Sequence, residues 1–151
     1  LALIPAAQRP VVTHQSGASQ IDALRANYEA AGVQADCTPF IEDTATAFAD
    51  ADIIVCRAGA STVTEIAAVG AAAIFVPFPS AVDDHQTTNA QFLVDAGGGW
   101  LVQQRDLTPE GLSQMLLKLE RPALVDIALK AKNMQKINAT REVVTACEEL
   151  A

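Results

Sequence analysis

Asp52-Ile-Ile-Val-Cys56, Arg57-Ala-Gly-Ala-Ser-Thr-Val-Thr-Glu65 and Ile66-Ala-Ala-Val-Gly70 run consecutively, and their reading decides the fold. The first is a short apolar run of strand type, the last an alanine-rich run of helix type. Between them lies a loop with one glycine and three hydroxyl residues, with a glutamate one turn into the helix. Free backbone N–H groups at such a strand-to-helix turn suit an anion. A carboxylate beside them repels phosphate but accepts from a pair of sugar hydroxyls. Arg57, Gly59, Ser61, Thr62 and Glu65 are therefore candidates for a nucleotide-sugar site. A second reading stays open here: Thr62-x-x-Glu65 has the spacing of a capping box, with Thr62 capping the helix and Glu65 reaching back to it. Arg57 also fits a surface arginine just past a strand.

Outward from this stretch the same alternation repeats. Strands are predicted at Val11–His14, Val33–Cys37, Asp52–Cys56, Ala72–Val76 and Gly99–Val102. Helices are predicted at about Ser19–Ala31, Thr44–Ala49, Thr62–Val69, Asp84–Ala96, Pro109–Leu119, Pro122–Lys132 and Asn138–Leu150. The strands are short, apolar and bounded by turn residues, as buried parallel strands are. Each connection has room for a crossover helix. The expected fold is α/β, a Rossmann-like doubly wound parallel sheet, with no internal repeat and no linker. Ligands in such folds bind outside the carboxyl ends of the strands. That directs attention to His14-Gln-Ser-Gly17, Thr38-Pro-Phe-Ile41, Arg57–Ser61 and Pro77–Asp84.

The last of these loops opens Pro77-Phe-Pro-Ser-Ala-Val-Asp-Asp-His-Gln-Thr-Thr-Asn89. Asp83 is expected to cap the next helix, with Gln86 completing a capping-box spacing. Gln86 and Asn89, three apart, share a helix face, and amides suit a neutral sugar because they both donate and accept. A plain capped surface helix explains the same residues. Asp83, Asp84 and His85 are poor metal ligands as a set, since consecutive residues at a helix start point in different directions. His14, closing a strand, reads as a satisfied structural histidine more readily than as a ligand contact. Trp100 reads as a packed amphipathic aromatic. Lys130, Lys132, Lys136 and Arg141, interleaved with Glu142, Glu148 and Glu149, read as a solvated helix face rather than a membrane patch.

The bulk numbers bound these readings. The 151 residues suffice for one domain with a sizeable core, and 50% hydrophobic against 19% charged residues excludes a disordered chain. The longest apolar run, from Gly70 to Phe78, is broken by Pro77 and falls short of a membrane span. A net charge of −8 argues against a general nucleic-acid surface, and an anionic ligand must be held by local groups against that field. Cys37, Cys56 and Cys147 are widely spaced and odd in number, with no zinc or disulfide pattern. Cys37 and Cys56 are expected to be buried thiols, in a reducing, cytoplasmic setting. The start inside the hydrophobic segment Leu1-Ala-Leu-Ile-Pro5, without an initiator Met, is expected of a fragment of a longer protein.

Four segments then carry a resemblance: Gly59-Ala-Ser-Thr-Val-Thr-Glu65, Ile66-Ala-Ala-Val-Gly70, Phe75-Val-Pro-Phe78 and Asp84-His-Gln-Thr-Thr-Asn-Ala90. With His14-Gln-Ser-Gly17 and Phe40-Ile-Glu-Asp43 in the same order and spacing, they resemble the MurG family of bacterial N-acetylglucosaminyltransferases over nearly the whole chain. The resemblance implies the carboxyl-terminal, donor-binding half of a GT-B glycosyltransferase. Residues 1–151 would be one partial UDP-sugar domain, without the amino-terminal acceptor domain and the first strand with its glycine-rich loop. The donor implied is UDP-N-acetylglucosamine. The backbone around Ile41 would meet the uracil and Glu65 the ribose hydroxyls. Gly59, Ala60, Ser61 and Thr62 would lie against the diphosphate with Arg57 nearby, and His85 and Gln86 would meet the N-acetylglucosamine. No cofactor and no protein-bound metal is implied. The acceptor, a lipid-linked muramoyl-pentapeptide, and the cytoplasmic face of the bacterial inner membrane would be met by the domain outside this chain, together with the catalytic base. This chain alone is expected to catalyse nothing. Another GT-B UDP-sugar transferase or epimerase, or a non-catalytic nucleotide-binding module, remains the alternative.

Overall fold

The computed structural model describes residues 1–79 and 84–150. All five expected strands are present: β1 (Thr13–Gln15), β2 (Asp36–Thr38), β3 (Ile54–Cys56), β4 (Ala73–Phe75) and β5 (Trp100–Leu101). So are the seven helices: α1 (Ile21–Ala30), α2 (Thr44–Asp50), α3 (Ala60–Val69), α4 (His85–Val94), α5 (Pro109–Lys118), α6 (Arg121–Asn133) and α7 (Ala139–Glu149). Short 3-10 turns at Ala6–Gln8 and Gln104–Asp106 were not foreseen. The strands are shorter than expected, but ladder bonds continue past their ends. Ile54 N–H donates to the Ala72 carbonyl at 3.0 Å, Val76 N–H to Cys56 at 2.8 Å and Val102 N–H to Phe75 at 2.9 Å.

Every strand pairing is parallel. The strands form two sheets, one of order β1-β2 and one of order β3-β4-β5. The chain divides into two compact units, Leu1–Ala47 with Leu107–Leu119, and Phe48–Asp106 with Glu120–Ala151. The division falls inside α2.

The first unit holds β1, β2, α1 and α5. In the sheet, Thr13, His14 and Gln15 stand opposite Asp36, Cys37 and Thr38. All three residues of β1 are exposed, which corrects the expectation of a buried strand. The strand falls on the polar residues Thr13, His14 and Gln15 rather than on Val11 and Val12, and in a two-stranded sheet it has a single neighbour. Arg9 braces the start of the unit, donating from Nε to the Ile4 carbonyl at 2.9 Å. Asp43 accepts from Thr46 N–H at 2.9 Å and from the Thr46 hydroxyl at 2.7 Å at the start of α2. The Thr46 side chain, then its N–H, holds the Asp43 carboxyl below the usual range. That support for α2 is present above the ordinary carboxylate range and is lost as pH falls through the lowered value.

The second unit carries a core of mostly small side chains. Ala58, Val63, Ile66, Ala67, Ala71, Ala73, Phe75, Ala90, Leu93 and Ala131 are buried together. β4 lies between β3 and β5 and is buried at all three residues. Burying Phe75 completely contributes about 1.5–3 kcal/mol. Alanines at so many contact positions let the helices approach closely. A Cβ on Gly99 would lie 2.7 Å from the Ala73 carbonyl oxygen and 3.0 Å from the Phe75 ring, and one on Gly98 would lie 2.9 Å from Ala131 Cα.

Helix ends show how the sequence stops each element. α5 is capped by Thr108, whose hydroxyl accepts from Gly111 N–H at 3.0 Å, with proline in the first turn. α3 ends at Gly70 in the left-handed region, φ 79°, where Gly70 and Ala71 both donate to the Ile66 carbonyl. Lys132 completes this end: its ammonium donates to the Ala68 carbonyl while its stem covers Gly70. Lys132 is therefore not part of the solvated face that the sequence suggested. Lys130 does pair at the surface, 2.6 Å from Asp126.

α7 buries no residue. Val143 is 63% exposed, Val144 50% and Leu150 90%, and Cys147 is exposed with them. The apolar stripe expected from the sequence is present and bare.

Two outcomes follow from this packing. Gly99→Ala should destabilise the chain by about 1–3 kcal/mol in denaturant titration, because backbone and a buried ring must move; a variant as stable as the parent would show that the contact relaxes freely. In hydrogen exchange α7 should be protected less than α3, and equal protection in a monomeric sample would mean that its stripe is covered.

Candidate functional site

In the second unit, the residues that leave β3, up to Gly59, and those that leave β4, up to Phe78, come together near the start of α3 and α4. α3 begins at Ala60, two residues earlier than the sequence suggests. Gly59 is the N-cap residue, in extended conformation, and no side chain caps this end. Thr62 is thus the third helical residue, and the capping box with Glu65 is overturned. The reason is local: an apolar-periodic count places the start at Thr62, whereas Gly59 is the last extended residue and Val63 N–H already donates to the Gly59 carbonyl at 3.0 Å. Glu65 stands exposed one turn further along, and Thr64 turns back to the Ala60 carbonyl at 2.8 Å. The first N–H groups of a helix have no partner within it. Here they belong to Ala60, Ser61 and Thr62, of which the first two are exposed and the third half-buried. Partial positive charge thus gathers at the turn that the sequence had singled out.

Arg57 does not reach freely into solvent. Its Nη1 donates to the Val76 and Pro77 carbonyls, each at 3.2 Å, and its guanidinium lies 5.5 Å from the centre of the Phe78 ring. It laces the exit of β3 to the exit of β4 and still keeps an exposed edge.

α4 begins at His85, which is exposed, and Asp84 precedes it in the left-handed region at φ 51°. Asp84 accepts from the Thr87 hydroxyl at 2.6 Å. Asp83, expected as the cap, lies outside the described residues. The capping box expected between Asp83 and Gln86 therefore falls outside them too. The Gln86 side-chain oxygen accepts from Phe78 N–H at 3.0 Å and from Ala58 N–H at 3.2 Å. Asn89, on the same helix face, donates to the Ala58 carbonyl at 3.1 Å. Sequence reasoning placed the two amides on one face but could not see what that face meets. Among the described residues no three His, Cys, Asp or Glu side chains converge as a metal site.

Ile41 lies in the first unit and is described with it. It is half-buried, and its N–H donates to the Gln15 side-chain oxygen at 2.9 Å. The Thr38 hydroxyl shapes this turn by donating to the Phe40 carbonyl at 2.8 Å. His14 is satisfied within the same unit: its Nδ1 shares a 3.0 Å hydrogen bond with the Tyr28 hydroxyl, edge to face. Burial, then the neighbouring Cys37, pushes the Tyr28 hydroxyl above its ordinary value.

Cys37 and Cys56 are half-buried rather than fully buried, and all three cysteines are free. Burial still pushes the Cys56 thiol up to about 12.

Parallel strands flanked by helices, with an uncapped helix start just beyond a strand, define a Rossmann-like α/β class of domain. Comparison makes this particular. The glycosyltransferase family 28 C-terminal domain matches residues 3–147, and the chain belongs to that family. It is 79% identical over 150 residues to the UDP-N-acetylglucosamine–N-acetylmuramyl-(pentapeptide) pyrophosphoryl-undecaprenol N-acetylglucosamine transferase of Paracidovorax citrulli, covering 99% of this chain and 42% of that protein. The transferase of the same name from Polaromonas naphthalenivorans is 78% identical over all 151 residues, again 42% of its own length. This chain therefore spans about two fifths of these relatives. Among solved structures, MurG of Acinetobacter baumannii superposes with a TM-score of 0.83 at 47% identity, over 91% of this chain and 40% of that one. The glycosyltransferase VinC, determined with dTDP, shares the fold at a TM-score of 0.64 and 16% identity, covering 100% of this chain and 46% of that one.

A thiol reagent near neutral pH should modify Cys147 rapidly and Cys56 only on unfolding, because the reactive form is the thiolate. Equal rates for the two in the folded chain would contradict the burial of Cys56.

Proposed function

We propose that this chain is the UDP-sugar donor domain of an inverting transferase. The parent protein moves N-acetylglucosamine from UDP-N-acetylglucosamine to the C4 hydroxyl of undecaprenyl-diphospho-N-acetylmuramoyl-pentapeptide. Family membership and the names of relatives at 78–79% identity support the reaction. The observation that carries the donor role is the uncapped start of α3 with Glu65 exposed beyond it.

In this reading Gly59, Ala60, Ser61 and Thr62 present backbone N–H groups to the diphosphate. They stabilise the charge that grows as UDP departs. Arg57 adds positive charge at the same edge. Glu65 accepts from the ribose hydroxyls, a charge-assisted pairing that the lost capping role leaves it free to make. His85 and Gln86 meet the sugar, Gln86 through its amide nitrogen, since its oxygen already serves two backbone groups. In the first unit, the Ile41 N–H, which now donates to Gln15, is the group offered to a uracil carbonyl. No metal or cofactor is assigned.

Attack requires a base to remove the acceptor hydroxyl's proton, and no residue here is given that task. The lipid-linked acceptor and the membrane surface are assigned to parts of the parent beyond these 151 residues. No helix among the described residues is long and apolar enough to cross a membrane. We place the parent at the cytoplasmic face of the bacterial inner membrane, where a nucleotide-sugar donor and a lipid-linked acceptor can meet.

Calorimetric titration of this chain with UDP, UDP-N-acetylglucosamine, UDP-glucose and GDP-sugars tests the donor role. Uridine nucleotides should bind and GDP-sugars should not. Glu65→Gln should weaken UDP binding by about 1.5–3 kcal/mol, whereas Asp84→Asn should leave it nearly unchanged. If Glu65→Gln lowers only the thermal midpoint, or if all nucleotides bind alike, the assignment is wrong.

A further inference from the structure

Ala58 occupies an unusual place in the second unit. It is completely buried, yet it lies after the end of β3 and before the start of α3. Its backbone N–H and carbonyl have therefore left the sheet ladder and are not yet part of a helix. A buried backbone group without a partner is costly. α4 supplies both partners from one face: Gln86 accepts from Ala58 N–H at 3.2 Å, and Asn89 donates to the Ala58 carbonyl at 3.1 Å. The same Gln86 oxygen accepts from Phe78 N–H at 3.0 Å, which ties in the exit of β4. A carboxamide can do this because it carries an acceptor with two lone pairs beside a donor. Leucine would fit the helix equally well and leave the groups unmatched.

We propose that Asn89, together with Gln86, is a positioning residue for the diphosphate. By holding both polar groups of Ala58, the pair fixes the peptide that leads into Gly59. The directions of the Ala60, Ser61 and Thr62 N–H groups follow from that peptide. The inference rests on the donor-site reading above and extends it to a residue that need not touch the ligand. A role in stability alone would leave diphosphate recognition no more affected than recognition of the nucleoside.

The test compares UDP with uridine on the 151-residue chain by chemical-shift titration, using Asn89→Leu and, as a second variant, Gln86→Met. UDP has no sugar beyond its diphosphate, so a loss in Gln86→Met cannot come from a missing sugar contact. In each folded variant UDP affinity should fall about three- to tenfold, as expected for one hydrogen bond, while uridine affinity holds. Amide exchange at Gly59 and Ala60 should rise, with Ile66 and Leu93 unchanged. If the unmodified chain binds UDP and both variants keep its UDP-to-uridine ratio, the positioning role is overturned and the donor site stands. If the unmodified chain does not bind UDP, the donor-site reading fails and this role fails with it.

Discussion

Close approach around β4 is the constraint on which the second unit depends. Phe75 lies buried in the central strand, and Gly99 comes so near that even a methyl group would meet the Ala73 carbonyl and the Phe75 ring. Gly98 makes the same allowance for α6 at Ala131. With β5 drawn in this tightly, β4 has a neighbour on each side and its carboxyl end points at one place. The exits of β3 and β4 then run beside each other, which is what lets Arg57 from one reach the Val76 and Pro77 carbonyls of the other.

The polar chemistry of the site follows from that proximity. Each strand exit presents backbone groups that have lost the ladder and need new partners. Arg57, Gln86 and Asn89 supply them, and in doing so spend part of the capacity that a reading of the sequence alone would assign to a ligand. A single side chain can do both. Arg57 keeps an exposed edge, and Gln86 keeps its amide nitrogen. Gly59 has the opposite role: it supplies no side chain, and so the first turn of α3 is left to whatever anion approaches.

Several features were open to inspection in the sequence because they depend on neighbours within a few residues. The alternation of short apolar runs with helical periodicity identified five strands and seven helices in their order. The turn from Cys56 to Glu65 announced its chemistry through its glycine, its hydroxyls and its carboxylate. The Gln86–Asn89 spacing revealed a shared face. The stripe Val143, Val144, Cys147 and Leu150 was visible as helical spacing, and it is exposed.

Other features needed partners far away in the chain. The sequence could not decide between a capping box and a ligand carboxylate at Glu65, because both use the same spacing; the start of α3 at Ala60 removed the first. It read both β1 and β4 as buried strands, whereas the Thr-His-Gln residues of β1 are exposed and the Ala-Ile-Phe residues of β4, flanked by a strand on each side, are buried. It read Lys132 as solvated, whereas the Ala68 carbonyl and the gap over Gly70 hold it against α3. By itself the sequence determined the class of fold, the order of its elements and the turns where chemistry belongs, because those are encoded in local periodicity and residue type. Which polar groups face a ligand and which are consumed in holding the loops was decided only by tertiary structure, because hydrogen bonds such as those of Gln86 and Asn89 to Ala58 join residues about thirty positions apart.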